Sequence, residues 1–208
     1  MKKLKFIHIT KTGGTTIENI SNKTWGRFQN FGVFYHCTFD KYPKDIQEKY
    51  DWFMVVRNPY VRILSEFKCG SAGIGNIKYD NFRTECKDFE KYIKHNKDTI
   101  SKDMFNSYIQ LRILNRGKWY YHYTELYKYL PSDPNIVMNI IRFENLNEDF
   151  DKLMGKYSLD FKLNKHSNKS KPVKFTINDF SDDTINMINE VYHKDFELFN
   201  YEKIIPST

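Results

Sequence analysis

Three short apolar runs punctuate the chain, and each ends in a polar or glycine-containing turn followed by apolar residues at helical spacing. The first, residues 4–9, is interrupted by Lys5 and His8 and stops before Gly13-Gly14 and Thr-Thr-Ile-Glu. It predicts a strand, a glycine turn and a helix. The second is Trp52-Phe53-Met54-Val55-Val56, bounded by Arg57-Asn58-Pro59. Val61, Leu64 and Phe67 follow at helical spacing, with Pro59 suited to a first helical turn. The third, residues 136–141, leads through Arg142-Phe143-Glu144-Asn145 to Leu146, Phe150, Leu153 and Tyr157, spaced three and four apart. Strands alternating with helices predict an α/β fold, with a central, mainly parallel sheet flanked by helices. Ligands of such sheets bind beyond the carboxyl ends of the strands, where all three turns fall.

Between these units, residues 68–85 carry Gly70, Gly73 and Gly75 among Ser and Asn, and read as a loop able to cover the site. Residues 88–113 and 124–130 read as helical, and the polar, basic stretch 162–179 as a second lid. A last helix over 181–199 places Ile185, Ile188, Val191, Tyr192 and Phe196 on one face, a packing role. No repeat of solenoid period is present.

With 208 residues the chain is sized for a single domain, 1–208. Its 40% apolar content, with 17 Phe, 15 Tyr and 3 Trp, excludes a disordered or low-complexity chain. No apolar run is long enough for a membrane span, and the start of the chain does not read as a signal peptide. A cytoplasmic location is therefore the expectation. The odd cysteine count (Cys37, Cys69, Cys86) suits a reducing compartment and lacks metal-ligand spacing, although Cys69 and Cys86 could pair. The net charge of +7 favours anionic partners without choosing among nucleic acid, phosphorylated cofactors and acidic glycans.

Lys11-Thr12-Gly13-Gly14-Thr15-Thr16 combines glycines that let a backbone approach closely, amides, a full positive charge and hydroxyls. These are the groups that hold phosphate, although a solvated glycine turn has the same composition. In nucleotide triphosphatases the lysine follows the last glycine, whereas Lys11 precedes both, which disfavours an ordinary ATPase. Arg57 follows the second strand and Ser65 lies just over two helical turns later, so an arginine and a hydroxyl could hold a second phosphate. A surface ion pair and a helix-surface hydroxyl are the plainer readings of each alone.

Taken together, residues 6–16 and residues 55–67 resemble the two cofactor motifs of Golgi-type carbohydrate sulfotransferases, of the heparan sulfate 2-O- and chondroitin kinds. The resemblance continues at Arg142-Phe143-Glu144-Asn145-Leu146, at Asn168-Lys169-Ser170 and over residues 191–202, in the family's order. It implies a P-loop-like sulfotransferase fold and 3′-phosphoadenosine 5′-phosphosulfate as donor. Lys11, Thr12, Gly13, Gly14, Thr15 and Thr16 would hold the 5′-phosphosulfate, and Arg57 with Ser65 the 3′-phosphate. Lys169 and Ser170 would close over the donor. In the family a histidine between the two motifs is the general base, and His36 occupies that interval here. Lys11 would stabilise the departing bridging oxygen.

Of the remaining histidines, His8 and His193 read as packing or surface residues, and His95, His122 and His166 have no partner in the sequence pattern. Phe143 suits either an adenine contact or the core. The implied acceptor is a carbohydrate hydroxyl, which the basic segments 87–102 and 162–174 would favour in an anionic glycan. Tyr108, Gln110, Arg112, Trp119 and Tyr120 could line its groove. Two departures stand out: Thr10 replaces the family's usual proline before the lysine, and the amino-terminal membrane anchor typical of animal members is not expected here, although a Golgi-type location stays open. No metal, nucleic-acid partner or membrane span is expected. The competing readings are a nucleotide-dependent kinase, a polyanion-binding module without chemistry, and a sulfotransferase that binds donor but is inactive.

Overall fold

The computed structural model describes residues 2–18, 20, 36–68, 93, 96, 99–116, 121–163 and 174–206. In chain order its regular elements are β1 (Lys3–Ile7), α1 (Gly14–Glu18), α2 (Lys44–Lys49), β2 (Tyr50–Val56), α3 (Pro59–Lys68), α4 (Lys102–Leu114), β3 (Met138–Arg142), α5 (Leu146–Lys156), α6 (Asp182–Val191) and α7 (His193–Leu198). The chain divides into two compact units, Met1–Arg57 with Glu125–Lys169, and Asn58–Thr124 with Ser170–Thr208.

The first unit is the α/β part. Its three strands are all parallel, in the order β1-β2-β3, with Phe6 beside Phe53 and Val55 beside Ile141. Every residue of β2 is buried, as the uninterrupted apolar run predicts for a strand with neighbours on both sides and covered faces. Leu4, Phe6, Phe53, Val55 and Ile141 pack with Ile17 of α1 and with Leu146, Phe150, Leu153 and Met154 of α5. The amphipathic spacing of α5 exists to supply that stripe. On another side of Trp52, Phe39 stands edge-on to its indole at 5.2 Å, and the indole Nε1 donates to the Gln47 carbonyl.

The second unit is helical. Tyr60, Ile63, Leu64 and Phe67 of α3 bury against Phe105, Ile109 and Ile113 of α4 and Ile185, Ile188 and Phe196 of α6 and α7. The Tyr60 hydroxyl donates to Asn189 and accepts from the Ile204 amide at 2.9 Å, fastening the chain's last described segment.

Four segments differ from the sequence pattern. β3 begins at Met138 rather than at Ile136 because the Asp133 side chain accepts from the Asn135 amide and its carbonyl from Ile136, curling the chain first. Ser101, extended and accepting from the Met104 amide, starts α4 well inside the segment read as one helix over 88–113. Residues 181–199 form two helices separated at Tyr192, and 124–130 contains only a single 3₁₀ turn, Leu126–Tyr129. No helix among the described residues is long and apolar enough to cross a membrane.

Candidate functional site

β1 releases the chain into the turn that carries Lys11. The Thr12 hydroxyl donates to the Ile9 carbonyl at 2.9 Å and is fully buried, so this side chain braces the turn. Lys11 itself adopts φ 59° and Gly13 φ 88°, two left-handed residues that reverse the backbone into α1. A glycine is required at 13 on both counts, since a Cβ there would also meet the Phe143 ring at 3.1 Å. Gly14 is helical, yet a Cβ on it would sit 2.1 Å from Cδ2 of His8. The Thr16 amide closes the turn on the Gly13 carbonyl at 2.9 Å, leaving Thr15 as the half-buried hydroxyl beside the buried Thr16.

β2 delivers Arg57 to the same edge. Its Nη1 donates to the Lys11 carbonyl at 3.0 Å, and its guanidinium lies 3.9 Å over the centre of the Phe143 ring, just past β3. The three turns predicted to meet at the carboxyl ends of the strands therefore do meet, and one arginine joins all of them. The Phe143 ring is engaged by Arg57 and packed on the core around Leu146.

His36 stands at this edge as well. Its Nδ1 lies 2.7 Å from the His8 carbonyl, and because a carbonyl oxygen only accepts, Nδ1 carries the proton. The lone pair of the neutral ring is then on Nε2. The Tyr129 hydroxyl donates to the His36 carbonyl at 3.0 Å, so bonds on both sides hold this residue at φ 65°. Its neighbour Cys37 is fully buried, and burial pushes the thiol's pKa up, which keeps it protonated and unreactive.

His8, expected to pack, does so with a defined partner: Nδ1 is 3.0 Å from Oε1 of Glu18. Glu18 and Tyr129 were not visible as site residues in the sequence; only their buried partners reveal them. Lys11, Thr12, Gly13, Gly14, Thr15, Thr16, Arg57 and His36 are thus gathered in the first unit. Ser65 lies on α3 of the second unit, 7% exposed. Lys169 and Ser170 lie outside the described residues, as do Trp119, Tyr120, His95, His166, Cys69, Cys86 and most of both expected lids.

Tyr108 and Arg112 belong to the buried interior of the second unit rather than to a groove, and Gln110 donates to the Thr184 hydroxyl. His122 gains a partner the sequence did not suggest, Glu66, at 2.7 Å. His193 is exposed, with Nδ1 near the Glu190 carbonyl.

A lysine, a half-buried hydroxyl, loop amides and an arginine at one sheet edge form a donor set suited to a polyanion, and a histidine with a defined lone pair stands within the same cluster. Among known protein families, residues 1–202 match the sulfotransferase family. No curated protein and no solved structure matches the chain.

Proposed function

The chain belongs to the sulfotransferase family, and from that premise we propose that it transfers a sulfuryl group from 3′-phosphoadenosine 5′-phosphosulfate to a hydroxyl of a carbohydrate, with His36 as general base. The observation that carries this reading is the Arg57 side chain, bonded to the Lys11 carbonyl and stacked on Phe143. It joins the arginine of the second motif to the lysine turn of the first. Residues 1–208 act as a single catalytic domain in this reading, in keeping with a family match that runs through both compact units.

Lys11, Gly13, Gly14, Thr15 and Thr16 would hold the 5′ end of the nucleotide, over a turn braced by Thr12. Arg57 and Ser65 would hold its 3′-phosphate, and Lys169 and Ser170 would close over it. When bound, the nucleotide supplies an activated sulfuryl group on a phosphate leaving group. His36 Nε2 accepts the proton of the attacking hydroxyl, a task for which the imidazole must be neutral and its lone pair correctly placed. The Nδ1 bond to the His8 carbonyl supports the second condition, since it leaves the lone pair of the neutral ring on Nε2. Lys11 brings positive charge to the place where negative charge gathers as the bond to the leaving oxygen breaks. The acceptor class follows the motif resemblance, and the net charge of +7 favours an anionic glycan.

The test is calorimetric titration of 3′-phosphoadenosine 5′-phosphate against ATP at one fixed salt concentration. We expect micromolar binding of the bisphosphate and much weaker binding of ATP. Arg57→Ala removes a charge-assisted contact and loosens the Lys11 turn, so its affinity should fall about 100-fold, or about 2.7 kcal/mol. Equal binding of both nucleotides, or of neither, would overturn the assignment in favour of a polyanion-binding module.

A further inference from the structure

His8 touches both halves of the proposed machinery without carrying chemistry of its own. Its side chain is 9% exposed and stacks on Phe6 with 5.9 Å between ring centres. The Cδ2–Nε2 edge lies against Gly14, where an added Cβ would come within 2.1 and 2.4 Å of those atoms. The ring meets His36 edge-on, at 4.5 Å between centres and 90° between planes, while the His8 carbonyl holds Nδ1 of His36. At the opposite end of the imidazole, Nδ1 is 3.0 Å from a Glu18 carboxylate whose side chain is only 10% exposed.

A buried imidazole deprived of its partner is unfavourable in the orientation that partner enforced, and a ring flip would exchange nitrogen for carbon at both contacts. Glu18 therefore decides which edge of His8 faces Gly14 and which faces α1. We infer that Glu18 and His8 are positioning residues: the close contact of the Glu18 carboxylate with Nδ1 fixes the imidazole against which both the glycine turn and the ring of His36 are set. The inference rests on the proposed role of His36, yet its consequence is conformational and is read without turnover.

The experiment uses the full chain labelled with ¹⁵N-histidine, with imidazole ¹H–¹⁵N correlations assigned by His36→Ala. Affinity for 3′-phosphoadenosine 5′-phosphate is measured alongside. In the wild type His36 should be a single Nδ1-protonated tautomer. Glu18→Met, of similar length but without a hydrogen-bonding group, should give a mixture of tautomers and a five- to tenfold weaker bisphosphate affinity as the Gly14 turn loosens. Glu18→Gln keeps a polar oxygen opposite His8 Nδ1 and should restore both, which loss of packing alone would not predict. An unchanged His36 tautomer in Glu18→Met, or a Glu18→Gln variant as impaired as Glu18→Met, would overturn the inference. Should Glu18→Met fail to fold, His8→Asn keeps the carbonyl and removes the ring, and an unaltered His36 there is equally fatal. Absence of bisphosphate binding in the wild type would instead defeat the functional reading, and the tautomer comparison would still decide the positioning role.

Discussion

Alanine at position 36 is expected to slow sulfuryl transfer about 1,000-fold, within the range by which a positioned acid or base accelerates a proton transfer. An alcohol attacking sulfur must shed a proton that water removes poorly. In the fold described, the lone pair able to receive it belongs to Nε2, because Nδ1 is committed to the His8 carbonyl at 2.7 Å. The neighbouring Cys37 offers no substitute, being buried with its thiol held protonated. Initial rates with 3′-phosphoadenosine 5′-phosphosulfate and a panel of desulfated glycosaminoglycans would measure the loss. The acid limb of the wild-type pH profile should vanish in the variant, while affinity for the bisphosphate stays within about threefold, since no part of the anion cluster is removed. A His36→Ala enzyme that keeps a third of the wild-type rate would show that the proton leaves by another route.

Gly14→Ala should damage the first unit severely, costing about 3 kcal/mol of stability. Its backbone is helical, so conformation alone would tolerate alanine; the obstacle is the His8 ring, 2.1 to 2.7 Å from the new Cβ. That ring cannot swing aside, since Glu18, Phe6 and His36 hold it from three directions. Gly155 provides the contrast, as a Cβ there would meet nothing within 4 Å. The urea midpoint, read with its slope, measures the change. Removing the obstruction in Gly14→Ala/His8→Ala should leave the double variant more stable than the sum of the single losses requires. Strict additivity would mean that the two residues do not compete for the same space.

The sheet and its chemistry were legible to different depths. All three strands announced themselves as runs of apolar residues, and the glycine turn between β1 and α1 followed from Gly13-Gly14, because local composition suffices for such features. The start of β3 was misplaced because Ile136 is apolar and buried yet belongs to a turn set by the Asp133 side chain. The cap at Ser101 was readable in principle, with Asp103 in the first turn after it, but the apolar spacing on either side obscured it. The break at Tyr192 was not readable at all. Its hydroxyl donates to the Tyr123 carbonyl at 2.6 Å, a contact between residues far apart in sequence. The same holds within the site: Lys11, Arg57 and His36 stood out by residue type and order, whereas the dependence of His8 on Glu18, and of Arg57 on Phe143, exists only after folding.

Lys11 and His36 share one further property, a left-handed backbone at φ 59° and 65°, which a residue with a side chain adopts at a cost of about 1 kcal/mol each. Glycine would relieve that strain at either position and remove the functional group with it. Laboratory evolution of this chain for heat resistance alone would therefore enrich glycine at 11 and 36 and, given the roles proposed for Lys11 and His36, yield hardier, silent proteins. A selection that also demands turnover would hold both side chains in place and draw its gains from elsewhere, such as the open helical surface at Gly155.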